Sequence, residues 1–149
     1  MKGKRDDEGK PRYDLLAPSL LWESGWEKAM PWLRPIVSWW YGDDAITWSS
    51  VIGAAIATLY GDERDKIAEE VSAVSRFGAA KYGEHNWLLG MEWHRVYRCI
   101  LSHAKYDGTS LDDESKQPHR AHVIWNVMAL SHYHYYGLGF DDRPCKRKQ

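Results

Sequence analysis

Phenylalanine and cysteine are scarce in this 149-residue chain, with two of each. Cys99 and Cys145 cannot build a disulfide framework, and neither belongs to a CxxC pair, which excludes a zinc ribbon and a thioredoxin-type motif. Charge of either sign is not in excess: 20 Lys and Arg stand against 21 Asp and Glu, a net charge of −1. That balance argues against a broad electrostatic grip on duplex nucleic acid or on an anionic membrane. No apolar run reaches the roughly 18 residues that a spanning helix needs. The opening MKGKRDDEGK lacks the apolar stretch of a secretory signal, so the expected compartment is a reducing cytoplasm. Strand alternation bounded by hairpin turns is missing, and so are internal repeats. GxxxxGK[ST], GxGxxG and GxSxG are absent, which removes a phosphate-binding P-loop and a serine-hydrolase elbow.

What is abundant is tryptophan and tyrosine, nine of each, with Trp22, Trp26, Trp32, Trp39, Trp40 and Trp48 in one stretch. Aromatics of this size bury large areas and anchor interfaces, so the cluster reads as core or as an oligomer interface. Pro31 and Pro35 are expected to break residues 22–41 into two short helices. Residues 45–60, with Asp44 as N-cap, are apolar nearly all round and read as a buried helix. A helix over about 63–82 follows, capped by Asp62 and ended by Gly83. The clearest amphipathic helix is 92–106, with Trp93, Val96, Tyr97, Ile100, Leu101 and Ala104 at helical spacing. After the polar loop DGTSLDDESKQ, Pro118 suits the first position of a last helix over 119–136. The reading is all-α: a bundle of four main helices plus short N-terminal ones, in one domain over 1–149 with mobile ends at about 1–9 and 141–149.

Polar residues gather in three places. His119, His122 and Asn126 share one face of the last helix, and two His one turn apart can share a metal. Asp112, Asp113 and Glu114 precede that helix, suited either to capping its dipole or to binding a hard cation. On the 63–82 helix, Glu70 shares a stripe with Phe77 and Lys81, so its carboxylate is expected to face a groove that also holds a cation. His103 is expected to face the same groove.

Taken in order, four blocks resemble the phage-enriched dATP/dGTP diphosphohydrolase family, MazZ-like relatives of the MazG-type nucleotide pyrophosphohydrolases. They are Gly9-Lys10-Pro11-Arg12-Tyr13-Asp14-Leu15-Leu16; Glu69-Glu70-Val71 with Phe77-Gly78-Ala79-Ala80-Lys81-Tyr82-Gly83 and Asn86-Trp87; Asp112-Asp113-Glu114-Ser115 with Pro118-His119; and His119-Arg120-Ala121-His122 through Trp125-Asn126. Three departures stand out. A Trp-rich insertion occupies about 19–66. Ser102-His103 stands where the resemblance implies Arg-His. Ser115-Lys116-Gln117 stands where it implies Ser-Gly. The resemblance implies metal-dependent cleavage of a purine (deoxy)nucleoside triphosphate to monophosphate and pyrophosphate. Glu70 and His122 would be catalytic. Glu70, His103, Asp112, Glu114, His119 and His122 would hold Mg²⁺ or Mn²⁺. Lys10, Arg12 and Lys81 would face the phosphates, Tyr82 or Trp87 would stack on the base, and Asn86 or Asn126 would bond its edge. The competing reading is a protein that sequesters a nucleotide or a cyclic nucleotide signal without cleaving it. Either reading implies a purine-nucleotide partner and a homo-oligomer, since the Trp cluster and the 45–60 helix leave surplus apolar surface.

Overall fold

A computed structural model describes residue 3 and residues 9–147, the side chains of 146 and 147 excepted. The fold is all-α. In chain order the α-helices are α1 (Pro18–Glu23), α2 (Met30–Trp40), α3 (Trp48–Leu59), α4 (Ile67–Tyr82), α5 (Trp93–Ala104), α6 (His119–Tyr136) and the short α7 (Pro144–Arg147). Single 3-10 turns stand before α1, α2 and α4 and between α4 and α5. Among the described residues no strand forms, and Glu92–Phe140 and Leu111–Pro118 make isolated bridges.

Helix α6 organises the rest, packing against α3, α4 and α5. It is buried on nearly every side through its first three turns, His119, Arg120 and His122 included. The expected bounds 119–136 match the observed ones, with Pro118 just before the first helical residue rather than in it. Helix α5 turns Trp93, Val96, Tyr97, Ile100 and Leu101 inward, as its spacing predicts.

The Trp-rich stretch is core. Trp26, Trp32, Trp39 and Trp40 are fully buried and belong to the same apolar cluster as Val96, Tyr97, Ile100, Ile124 and Tyr133. Trp40 stacks on Tyr97, with ring centroids 4.4 Å apart. The helix break falls between α1 and α2 rather than at Pro35, which lies inside α2. Pro31 sits in the first turn, where no donor is lost. The bond forfeited at Pro35 is outweighed by six buried neighbours, Trp32, Leu33, Ile36, Val37, Trp39 and Trp40.

Other local expectations are corrected. Asp44 does not cap α3; its carboxylate accepts from Arg143 at 3.0 Å, and the helix starts after Thr47. Nor is α3 buried all round: Val51 and Ala55 are, whereas Ile52, Ile56 and Leu59 are half-exposed. Asp62 does not start α4, because a 3-10 turn over Arg64–Lys66 intervenes. The tail expected to fray from 141 is packed through 143. Arg143 donates to both Asp141 oxygens at 2.9 Å and lies over the Trp39 ring at 4.5 Å. Asp142 accepts from the His94 backbone at 2.9 Å, covering the start of α5. This docking depends on Gly139, whose φ is +78° and whose missing Cβ would stand 2.5 Å from the Met91 carbonyl. The remaining end residues, 1, 2, 4–8, 148 and 149, lie outside the described residues.

Candidate functional site

A cleft of about 1020 Å³ opens between α4, α5 and α6, roofed by the 83–91 and 107–118 loops and by Lys10, Pro11 and Tyr13. That volume suits a ligand of nucleotide size. Its polar floor comes from α5 and α6. His103, Asp112 and His122 each point a ligand atom to one spot, all within 4.8 Å of one another. The His103 and His122 rings stack with centroids 4.3 Å apart and planes at 8°. His103 Nδ1 meets His119 Nδ1 at 2.8 Å, so one of these nitrogens donates and the other accepts. Tyr106 stacks on the His119 ring, centroids 4.4 Å apart. Burial pushes the His119 pKa down, against the pull of Asp112 and Asp113.

Asp112 is fixed by its own loop. Its Oδ2 accepts from the Ser115 backbone at 2.8 Å and lies 3.8 Å from His122 Nε2. Burial would raise this carboxyl, but the Ser115 amide and hydroxyl, with His122 and His103 alongside, outweigh it and hold the pKa low. Ser115 Oγ is 2.6 Å from His122 Nε2 and accepts from the Gln117 backbone at 3.2 Å. Two residues shape this turn: Asp107 accepts from the Thr109 amide and hydroxyl, both at 2.9 Å, and Lys116 sits in the left-handed region at φ +62°.

At the rim, Glu114 bonds Lys81 and lies 3.9 Å from Lys10. The Glu114 bond pushes the Lys81 ammonium pKa up, so it stays charged. Tyr82, Asn86, Trp87 and Asn126 line the cleft. Trp87 is wedged edge-on against Trp125 at 5.7 Å and His132 at 5.2 Å, and Asn126 donates to the His122 carbonyl at 2.8 Å.

Two expected site residues are elsewhere. Glu70 does not line the cleft. Arg120 holds it through Nε and Nη2, both at 3.0 Å, and Tyr60 donates to it at 2.9 Å. Arg12 is likewise absent from the lining, because it grips the buried Asp14 at 2.9 and 2.8 Å. Of the expected metal ligands, His103, Asp112 and His122 converge; His119 touches His103, and Glu114 is engaged with lysines. Residues outside those expectations also line the cleft: Ser102, Tyr106, Trp125 and the buried Arg98. The helical spacing 98, 102, 106 was available as a signal for the α5 wall.

Residues 64–143 match the family model described as dATP/dGTP diphosphohydrolase, N-terminal. The chain belongs to this family. No curated protein and no solved structure gives a match. The dATP/dGTP diphosphohydrolase region runs from the 3-10 turn before α4 to Arg143 and so contains the whole His–Asp cluster. The Gly9–Leu16 block and most of the Trp-rich stretch precede it, although Lys10 reaches the cleft from outside the match. Among the described residues, no helix is long and apolar enough to cross a membrane.

Proposed function

We propose that the chain is a metal-dependent purine (deoxy)nucleoside triphosphate pyrophosphohydrolase, releasing monophosphate and pyrophosphate. The observation that carries this reading is the convergence of His103, Asp112 and His122 in a nucleotide-sized cleft within the family-matched region. Two imidazoles and one carboxylate fit a divalent transition ion such as Mn²⁺ better than Mg²⁺, which favours an all-oxygen shell. When bound, the ion would neutralise charge that develops on the phosphates.

The chain's own residues have separable tasks. Ser115 holds His122 through the 2.6 Å contact, and Asp112 is held by the Ser115 amide, so the donor set is preorganised. Lys10 and Lys81 exchange Glu114 for phosphate oxygens when substrate enters. Trp87 and Tyr82 present aromatic faces to the base, and Asn86 and Asn126 supply amide groups for its edge. Glu70 and Arg12 have no direct task in this reading.

The test is incubation with a panel of nucleoside triphosphates with Mn²⁺ or Mg²⁺, products being read by chromatography with mass detection. The expected result is deoxynucleoside monophosphate and pyrophosphate from dATP or dGTP. Nucleotide bound but recovered intact would replace hydrolysis by sequestration. No product and no depletion would overturn the nucleotide reading.

A further inference from the structure

Each of the three converging donors has a partner behind it. Ser115 Oγ stands 2.6 Å from His122, and the Ser115 amide holds Asp112 at 2.8 Å. For His103 the partner is His119, with Nδ1 facing Nδ1 at 2.8 Å. His119 does not belong to the convergent set found among the described residues. It opens α6, one helical turn before His122, and its backbone N–H donates to the Ser110 carbonyl at 2.9 Å. It is 7% exposed, and Tyr106 lies against its ring with the planes at 12°. The ring is thus held by the 107–118 loop and by the residues just past α5, with Nδ1 toward His103.

A nitrogen-to-nitrogen hydrogen bond carries one proton, on one side or the other. An ion taken by His103 in this arrangement is taken through its other nitrogen, Nε2. That nitrogen offers a lone pair only when the hydrogen of the neutral ring is on Nδ1. If His119 is the donor instead, a neutral His103 carries its hydrogen on Nε2 and cannot ligate there.

We infer that His119 is a positioning residue of the metal site: its Nδ1 accepts the Nδ1–H of His103 and so fixes His103 in the tautomer that ligates through Nε2. The inference rests on the metal-dependent reading above and adds what sets one of its ligands. The outer partner of a ligating histidine is commonly a carboxylate or a carbonyl, which can only accept. An imidazole can accept or donate, so His119 serves only with its own hydrogen on Nε2. The two rings must therefore hold matched tautomers, Nδ1–H on His103 and Nε2–H on His119. Burial and the Tyr106 stack keep the His119 ring from turning its other edge to His103.

The experiment uses the full chain as wild type, H119F and H119N. Phenylalanine keeps a ring against Tyr106 but has no acceptor. Asparagine gives up the ring, but its side-chain oxygen can stand where Nδ1 stands. Circular dichroism and thermal melting check that each variant is folded. Mn²⁺ is titrated into each by calorimetry. Nitrogen NMR of the imidazoles, on the metal-free chain at a pH where they are neutral, reads which ring nitrogens carry hydrogen. Wild type is expected to show hydrogen on Nδ1 of His103 and on Nε2 of His119. H119F is expected to bind Mn²⁺ about 10- to 100-fold more weakly, the usual loss for an outer partner of a ligand, and to lose the fixed Nδ1–H of His103. H119N is expected to keep most of the affinity. A packing role gives the opposite order, with H119F near wild type and H119N weak, and that order would overturn the inference. Hydrogen on Nδ1 of His119 in wild type would overturn it as well. Equal and near-complete loss of Mn²⁺ binding in both folded variants would make His119 a ligand instead of a partner. If H119F does not fold, the wild-type spectrum and H119N decide. All of these outcomes leave the metal-dependent reading in place. Wild type that binds no Mn²⁺ would overturn that reading together with the role drawn from it.

Discussion

Arg120 holds the Glu70 carboxylate at both oxygens, Nε to Oε1 and Nη2 to Oε2, each at 3.0 Å. The bond to Glu70, with a further one to Glu63, raises the Arg120 pKa despite burial, so the cation is permanent. Tyr60, lying under the guanidinium at 4.1 Å, donates to the same carboxylate. This arrangement joins the end of α3 to α4 and α6 through the Glu70 carboxylate.

E70A should therefore act on stability. Removing Glu70 leaves the buried Arg120 with only the exposed Glu63 carboxylate as counter-charge, at a cost of about 3 kcal/mol. Chemical denaturation should show that loss, and R120M combined with E70M should recover most of it. Below its melting range E70A should keep wild-type Mn²⁺ affinity. Lost Mn²⁺ binding in a folded E70A would return Glu70 to the metal site.

H103A, D112N and H122A should each lower Mn²⁺ affinity with the helical content retained, because each removes one member of the converging donor set. S115A should reduce it by about 10- to 100-fold, the usual effect of losing an outer-shell partner of a ligand. Calorimetric titration with Mn²⁺ measures both. Wild-type affinity in D112N would remove the loop from the site.

K116G should stabilise the protein. Lys116 is held at φ +62°, where an ordinary side chain costs about 1–2 kcal/mol. Glycine avoids that cost but has about 0.5–1 kcal/mol more unfolded-state freedom to lose. The expected net gain is about 0.5–1 kcal/mol in urea denaturation, whereas K116A should give none.

G139A should destabilise strongly. The added methyl would lie 2.5 Å from the Met91 carbonyl and 3.2 Å from Trp93 Nε1, with φ already at +78°. Backbone cannot swing aside as a flexible side chain does, so a loss of about 2 kcal/mol or more is expected. Tryptophan fluorescence should report it, because Trp93 donates to the Leu138 carbonyl beside the glycine. An unchanged melting temperature would show that the 138–143 segment is not held there.

The sequence made the helices legible wherever periodicity and end signals agreed. Helix α6 runs from the residue after Pro118 to the residue before Gly137, and α5 buries the residues its spacing selects. The family region was legible too, because its blocks keep their order. Non-local pairing was not legible. Glu70 shares a stripe with Lys81, which suggested a common groove, but its partner lies fifty positions away in sequence. Arg120 is turned toward it by the Leu59 carbonyl and Glu63, neither visible in a helical pattern. Asp44 was misread for the same reason: a capping residue by type, it is claimed by Arg143 near the far end of the chain. For the cleft, residue type marked the His and Asp donors, whereas the other residues of the α5 wall had helical spacing alone and were not singled out by it.

The seal on the tryptophan layer has a temporal consequence. Arg143 closes over Trp39 and Trp93 and bonds Asp44, so residues 99 positions apart in sequence are locked together. During synthesis α2 must wait with its indoles unsealed until the 139–143 segment has also emerged. The tryptophan-rich segment is therefore the part that waits longest for its cover, and it is where a chaperone would find its grip.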